Sequence, residues 1–184
     1  MTSKTILVAI VTVFVVGFLT QNAFAASVDY YLKLDGIDGE SSNEGHRGSI
    51  TLDSWSFGAT QMGTSGGGGG SGKVIMQDFH FDKHVDKASP KIFEALTTGK
   101  HIKDATLELC RTDSERQSQC YLVITLTDVV ISGYQLGGSG GDVPTDQFSL
   151  NFAKIEFSYK PQKADGQLDS PVKATYDVKA AKKV

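Results

Sequence analysis

From Val28 onward the chain is dominated by alternation of apolar and polar residues. In Val28–Asp35, residues Val28, Tyr30, Leu32 and Leu34 share one face, the period of a half-buried strand. Four longer stretches follow the same rule but change parity once. Ile50–Gly58 runs Ile50, Leu52, then Trp55, Phe57; Lys73–Asp82 runs Val74, Met76, then Phe79, Phe81. Tyr121–Gly133 runs Leu122, Ile124, Leu126, then Val129, Ile131; Gln147–Tyr159 runs Phe148, Leu150, Phe152, then Ile155, Phe157, Tyr159. A slip of one residue turns a strand's apolar face to the other side, and a bulge or bend at the slip restores it. The pattern therefore predicts strands that bend from one sheet into another, the corner geometry of a small antiparallel β-barrel or an orthogonal sandwich. Shorter strands are expected at Ala105–Cys110 and Val172–Lys179. One helix is signalled: Ser89 as N-cap, Pro90 at the first helical position, and Gly99 just past the end. Ile92, Phe93 and Leu96 form its apolar stripe, expected to plug or flank the barrel.

The N-terminus follows a different pattern. Lys4 precedes a 14-residue apolar run, Ile6–Leu19, which is short for a membrane-spanning helix. Ala23-Phe24-Ala25 then supplies a small-x-small site, so residues 1–25 read as a secretory signal peptide cleaved between Ala25 and Ala26. The competing reading is a retained single-span anchor. Removing 25 of the 184 residues leaves 159, enough for one domain with its own core, so 26–184 is read as a single domain. Loss of Lys4 changes the balance from 18 basic against 21 acidic residues to 17 against 21, a net −4. Such a charge offers no general attraction to nucleic acid or anionic lipid. The implied compartment is the periplasm or the exterior of a bacterium.

Glycine is the compositional outlier, 20 residues, and it is clustered. Ala59–Gly72 is expected to be a long, flexible loop, because Gly63, the run Gly66, Gly67, Gly68, Gly69, Gly70, and then Gly72 fall within it. Gly137–Gly141 is a second glycine cluster. Gly67–Lys73 matches G-x-x-x-x-G-K, but Val74 and an alternating strand follow where a phosphate-binding loop needs Ser or Thr and a helix. No nucleotide or other cofactor is expected.

Asp78, His80, Asp82 and His84 lie two apart, so a straight strand presents them on one face, where oxygen and imidazole donors could hold a divalent metal. The plainer reading is the solvated face of a strand whose other face carries Phe79 and Phe81; it is the default, and no metal is assigned. No serine has a nucleophile-elbow context, no Cys/His pairing suggests a thiol enzyme, and His46 and His101 stand alone. No catalytic residue is assigned. Cys110 and Cys120 flank the polar turn Arg111–Gln119, and in an oxidising compartment an even count at hairpin distance predicts a disulfide. Alternation places Cys110 outward and Cys120 inward, so a bulge near the turn or a reassigned face at Tyr121 and Val123 is required.

Several stretches together resemble one family, the hemolysin-coregulated proteins (Hcp) that form the tubes of type VI secretion systems. The resembling segments are Asp29–Glu40 (DYYLKLDGIDGE), His46–Gly58 (HRGSITLDSWSFG), Gly66–Asp86 with Lys87–His101, Leu126–Gly141, Ser149–Gly166, and the closing Val172–Lys183. They span essentially the whole of the chain after the signal segment. The resemblance implies a small β-barrel with one helix that assembles into homo-hexameric rings. These rings stack into a tube whose lumen carries and stabilises effector proteins. It implies that the loop after the second strand, Ala59–Gly72 here, reaches neighbouring subunits and rings, and that there is no catalytic site without a fused toxin domain. No such domain is expected in a chain that stops at Val184. Ser54 and Ser56, small and polar opposite Trp55 and Phe57, suit a wall facing a wet lumen, though plain solvent exposure suits them equally. The signal segment and the cysteine pair depart from the family pattern, as does Tyr176 where Trp is common. Two readings follow: an exported ring or tube subunit, or a cytoplasm-loaded type VI tube component or secreted effector carrier with its N-terminus retained. A third, an enzyme or metal-binding protein on this scaffold, lacks a constellation to support it.

Overall fold

A computed structural model describes residues 28–61, 74–112 and 118–184. The expected signal segment with its Ala25–Ala26 cleavage point, and Gly63 through Gly72, lie outside the described residues. The elements are β1 (Val28–Leu34), β2 (Ile50–Leu52), β3 (Ser54–Ser56), β4 (Ala59–Gln61), β5 (Val74–Met76) and β6 (Phe79–His84). Then come α1 (Ser89–Thr98), β7 (His101–Thr112), β8 (Ser118–Gly137), β9 (Thr145–Tyr159), β10 (Val172–Asp177) and β11 (Lys182–Lys183). Nine strands form one antiparallel sheet in the order β11-β10-β9-β8-β7-β1-β2; β6 branches off β9 and carries β3 on its far side, while β4 and β5 pair only with each other.

The expected parity changes are where the strands change direction or partner. In Ile50–Gly58 the slip falls at Asp53, so that β2 pairs with β1 while β3 pairs with β6. In Lys73–Asp82 it separates β5, which pairs with β4, from β6, which pairs with β3 and β9. In β8 and β9 the buried positions jump from Leu126 to Val129 and from Phe152 to Ile155. Neighbouring β7 makes the same jump, from Ile102 to Ala105. The ladder matches Ile102, Val129 and Phe152 on one rung and Ala105, Leu126 and Ile155 on another, so three strands fold over along a common line. At that line Asp128 takes φ 54°, a left-handed value that Asp tolerates better than most residues. Its carboxylate accepts from His101 Nδ1 at 2.7 Å and Lys179 Nζ at 2.5 Å.

The expected barrel is present as a strongly bent sheet rather than a closed one. Ladders run from β2 through β1, β7, β8 and β9 to β6 and β3, and between β2 and β3 the circuit is completed by the covalent chain at Asp53, not by a ladder. The bend encloses a core of Leu32, Ile50, Phe79, Phe81, Ile124, Val129, Leu150 and their neighbours. Phe79 stacks on Phe57 at 4.3 Å and meets Phe81 and Phe152 at 5.9 and 5.7 Å. Each such buried side chain contributes roughly 1.5–3 kcal/mol by leaving water. Gly39 lets the β1–β2 connection cross closely: a Cβ there would lie 2.4 Å from the Ser49 carbonyl oxygen and 2.5 Å from Ile50 Cα.

Helix α1 flanks the sheet against β8. Its start lies one residue earlier than expected, so Ser89 is helical rather than an N-cap and Pro90 follows it. The N-cap is Ala88, whose side chain makes no cap; its own N–H donates to Asp86 Oδ1 at 2.9 Å. The C-terminus matches expectation: Gly99 has φ 62°, and N–H groups of Gly99 and Lys100 return to the Leu96 and Ala95 carbonyls, a Schellman end. The buried stripe is Ala88, Ile92 and Ala95. Phe93 is 53 % exposed, because the i, i+4, i+7 line from Ala88 passes beside it.

Candidate functional site

Strands β3, β6, β9 and β8 build a continuous outer face. The register sets Ser54 beside Asp82 and Ser56 beside His80, with Trp55 and Phe81 turned inward between them. The same rows continue as Asp82, Gln147, Gln135 and as His80, Ser149, Gly133. A polar wall four strands wide thus backs an aromatic core. Ser54 Oγ donates to Asp82 Oδ2 at 2.6 Å. Both serines are exposed, as their alternation with Trp55 requires.

The side chains of Asp78, His80, Asp82 and His84 do not form a converging ligand group among the described residues. Asp78 accepts from Ser132 Oγ and Asn151 Nδ2 at 2.6 and 2.8 Å. Asp82 is engaged by Ser54, and His84 pairs with Asp53 at 2.8 Å. Asp78, Asp82 and His84 are thus engaged by side chains of neighbouring segments rather than by one another.

The segment expected as one long loop, Ala59–Gly72, begins with a strand. Ala59–Gln61 is strand β4, paired with Val74–Met76 in the register Ala59–Met76, Thr60–Ile75, Gln61–Val74. The entrance of the expected loop is therefore one strand of a two-stranded ribbon whose other strand, β5, follows the glycine-rich connection. β4 is exposed along its length and Ile75 is 42 % exposed. An isolated two-stranded ribbon is marginal in water without a surface to pack on.

Cys110 and Cys120 form a disulfide across the β7–β8 hairpin. The required bulge is present: Leu109 pairs with Leu122 and Cys110 with Cys120, so Tyr121 is the extra residue that turns both sulfurs to the same side. His46, isolated in sequence, lies against the pair, with Nε2 3.5 and 3.4 Å from the two sulfurs. Its Nδ1 is 3.0 Å from Glu108 Oε2, and its ring stacks on Tyr31 at 4.1 Å. Burial holds the Tyr31 phenol above its ordinary range, aided by the charge of Asp29 and opposed by the hydrogen bond from Asn43.

Under α1 lies a buried ionic cluster that the alternation pattern does not reveal. Lys83 follows Phe79 and Phe81 on the inward face of β6 and is fully buried. Its Nζ donates to the His84 carbonyl, Asp86 Oδ1 and Ser89 Oγ at 3.0, 2.7 and 2.8 Å. Those three bonds use all its protons. Asp146 Oδ1 lies 3.1 Å away as an ion pair but receives no hydrogen bond, while its Oδ2 accepts from Tyr134 at 3.1 Å. Burial, then the Asp146 charge and the hydrogen bond to it, push the Tyr134 phenol up to about 12.

Comparison with known proteins matches this architecture. A family profile described as "Type VI secretion system effector, Hcp" matches residues 31–159. The protein hcp1 of Pseudomonas aeruginosa is 41 % identical over 157 residues, covering 83 % of this chain and 96 % of that protein. The crystal structure of Hcp1 from Salmonella typhimurium superposes with a TM-score of 0.70 at 31 % identity, covering 86 % of this chain and 99 % of the other. A type VI secretion system effector from Yersinia pestis gives 0.67 at 31 % identity, over 82 % of this chain and 100 % of the other.

Proposed function

The chain belongs to the Hcp family of type VI secretion system effectors, and on that footing we propose that it is a structural subunit whose six copies close into a ring. Rings stack into a tube that carries effector proteins in its lumen. The observation that carries this reading is the family match along residues 31–159. Two features of the chain support it. The outer face of β3, β6, β9 and β8, with Ser54 and Ser56 at its edge, is polar, as a wetted lumen wall requires. The β4–β5 ribbon extends outside the main sheet with an exposed apolar residue, and a neighbouring subunit or ring supplies the surface it lacks. The glycine run between its strands gives the connection freedom to follow that surface. Contacts of this kind are heterologous, and they form a closed ring when the rotation between copies closes. The role is assembly rather than catalysis, and it calls for no cofactor.

We assign residues 1–25 to a secretory signal peptide, which places the mature subunit, Ala26–Val184, in the periplasm or outside the cell. The disulfide accords with that compartment. Family membership itself favours a second reading, a tube component loaded from the cytoplasm with its N-terminus retained. Intact mass of the exported protein separates the two: a chain starting at Ala26 supports the first, one starting at Met1 the second. Negative-stain imaging with sedimentation velocity tests assembly. Six-fold rings are the expected result, and a strict monomer at high concentration overturns both readings.

A further inference from the structure

His46, Cys110 and Cys120 place one imidazole nitrogen and two sulfurs within 4.8 Å of one another, at a position no part of the assembly reading uses. The imidazole is aimed. Glu108, which also pairs with Lys33 at 3.0 Å, offers a carboxylate that only accepts, so Nδ1 donates to it, and in the neutral ring Nε2 presents a lone pair. That lone pair points at two disulfide sulfurs that have no proton to donate, in a histidine only 5 % exposed. A metal ion held by the same sulfurs as thiolates would take that nitrogen as its third donor.

We propose that reduction of the Cys110–Cys120 disulfide converts this corner into a three-coordinate site for a thiophilic d10 ion, Cu(I) ahead of Zn(II). Two thiolates and one imidazole at bond lengths of about 2.0–2.3 Å put nitrogen and sulfur roughly 3.8 Å apart and the sulfurs roughly 4 Å apart. The Nε2–sulfur distances, 3.5 and 3.4 Å, are already close to that value. Only the sulfurs must separate, which cleavage of their bond allows. A dithiol or phosphine reductant supplies two electrons; the sulfurs take up two protons and become thiols. The entering ion displaces both protons, forming two metal–thiolate bonds and one metal–nitrogen bond. Glu108 is a positioning residue, holding the imidazole tautomer and ring orientation from the far side, as carboxylates behind metal-bound histidines do. Thiolate donors select soft ions, and three donors suit Cu(I), whereas Zn(II) takes a fourth ligand. Entry is past Cys120, which is half-buried, whereas Cys110 is fully buried.

The test uses the purified protein, reduced anaerobically with a phosphine, cleared of reductant, and titrated with Cu(I) and separately with Zn(II) against a chromophoric chelator. Expected are one Cu(I) per chain in the reduced protein and none in the oxidised protein, with Zn(II) bound more weakly. Cys120→Ser abolishes binding. Glu108→Gln weakens it by about 10–100-fold, and His46→Ala by at least as much. Circular dichroism checks each variant's fold. If His46→Ala fails to fold, X-ray absorption of the copper-loaded wild type takes its place: one nitrogen beside two sulfurs supports the site. Equal binding by reduced and oxidised protein overturns the proposal. So does a two-sulfur spectrum without nitrogen, or affinity unchanged in a folded His46→Ala variant, because either leaves a bare dithiol.

Discussion

Lys83 carries an ammonium group into the core on a strand position that Phe79 and Phe81 mark as inward. Its charge is tolerated because Asp86 and Asp146 meet it from two other parts of the chain. Removing one partner of a buried pair leaves the other charge uncompensated. Lys83→Met is therefore expected to lower unfolding free energy by about 3–5 kcal/mol, read from urea midpoints, and Lys83→Met with Asp146→Leu to recover part of the loss. Tyr134 reports on the same cluster. Its folded value of about 12 lies above the ordinary tyrosine value of about 10. The neutral phenol is thus favoured in the folded state: its contribution is fully present below about pH 10 and is lost as pH rises through about 12. Near-ultraviolet titration should show a phenol ionising near pH 12 that disappears in Tyr134→Phe. None of this was legible in sequence. The strand was expected to end at Asp82, and Asp146 meets Lys83 only through the β6–β9 ladder, 63 positions along the chain. His46 likewise stands alone in sequence. The β1–β7 pairing and the hairpin bulge bring Glu108 and both cysteines to it.

Among the elements, the parity changes were the most informative sequence signal. Those in Ile50–Gly58, Lys73–Asp82, β8 and β9 all coincide with bends or changes of partner, because a strand with one buried face cannot reverse its pattern without turning. The matching change in β7 escaped notice since Ala105 is a weak apolar signal and polar Lys103 and Asp104 precede it. That strand runs His101–Thr112, well beyond the expected Ala105–Cys110. Strand β4 also escaped, since Ala59–Gln61 shows no alternation and forms only by pairing with β5. The β7–β8 hairpin closes as expected, and its bulge answers the conflict between the faces of the two cysteines. Reducing that disulfide is expected to cost about 2.5–3 kcal/mol of unfolding free energy on the chain-entropy account, measured by denaturant titration with and without reductant. Ring size should not change, since both cysteines lie in one chain.

At the scale of the molecule, the bent sheet presents a polar outer wall on β3, β6, β9 and β8 and a separate ribbon, β4–β5. If ribbon and glycine run serve contacts between rings, deleting Gly66–Gly70 should leave the circular dichroism spectrum and the unfolding midpoint of the subunit intact while shortening or abolishing stacks in electron micrographs. Tubes of unchanged length would remove the loop from the interface. The ladder circuit is open between β2 and β3, so the barrel expected from bent strands is left unclosed there, with only the chain at Asp53 joining the two strands.

Sequence by itself determined the class of fold, the number and rough extent of the main strands, the helix with its Gly99 terminus, and the family. These follow from local rules: alternation reports which side of a strand is dry, Gly99 reports a left-handed backbone, and ordered motifs report common descent. Only the tertiary structure decided which polar residues are buried and what they meet. Lys83 with Asp146, His46 with the disulfide, and Asp128 with Lys179 are all joined across long stretches of chain. Such pairings depend on strand register, and register is set by the whole sheet folding at once rather than by any window of residues.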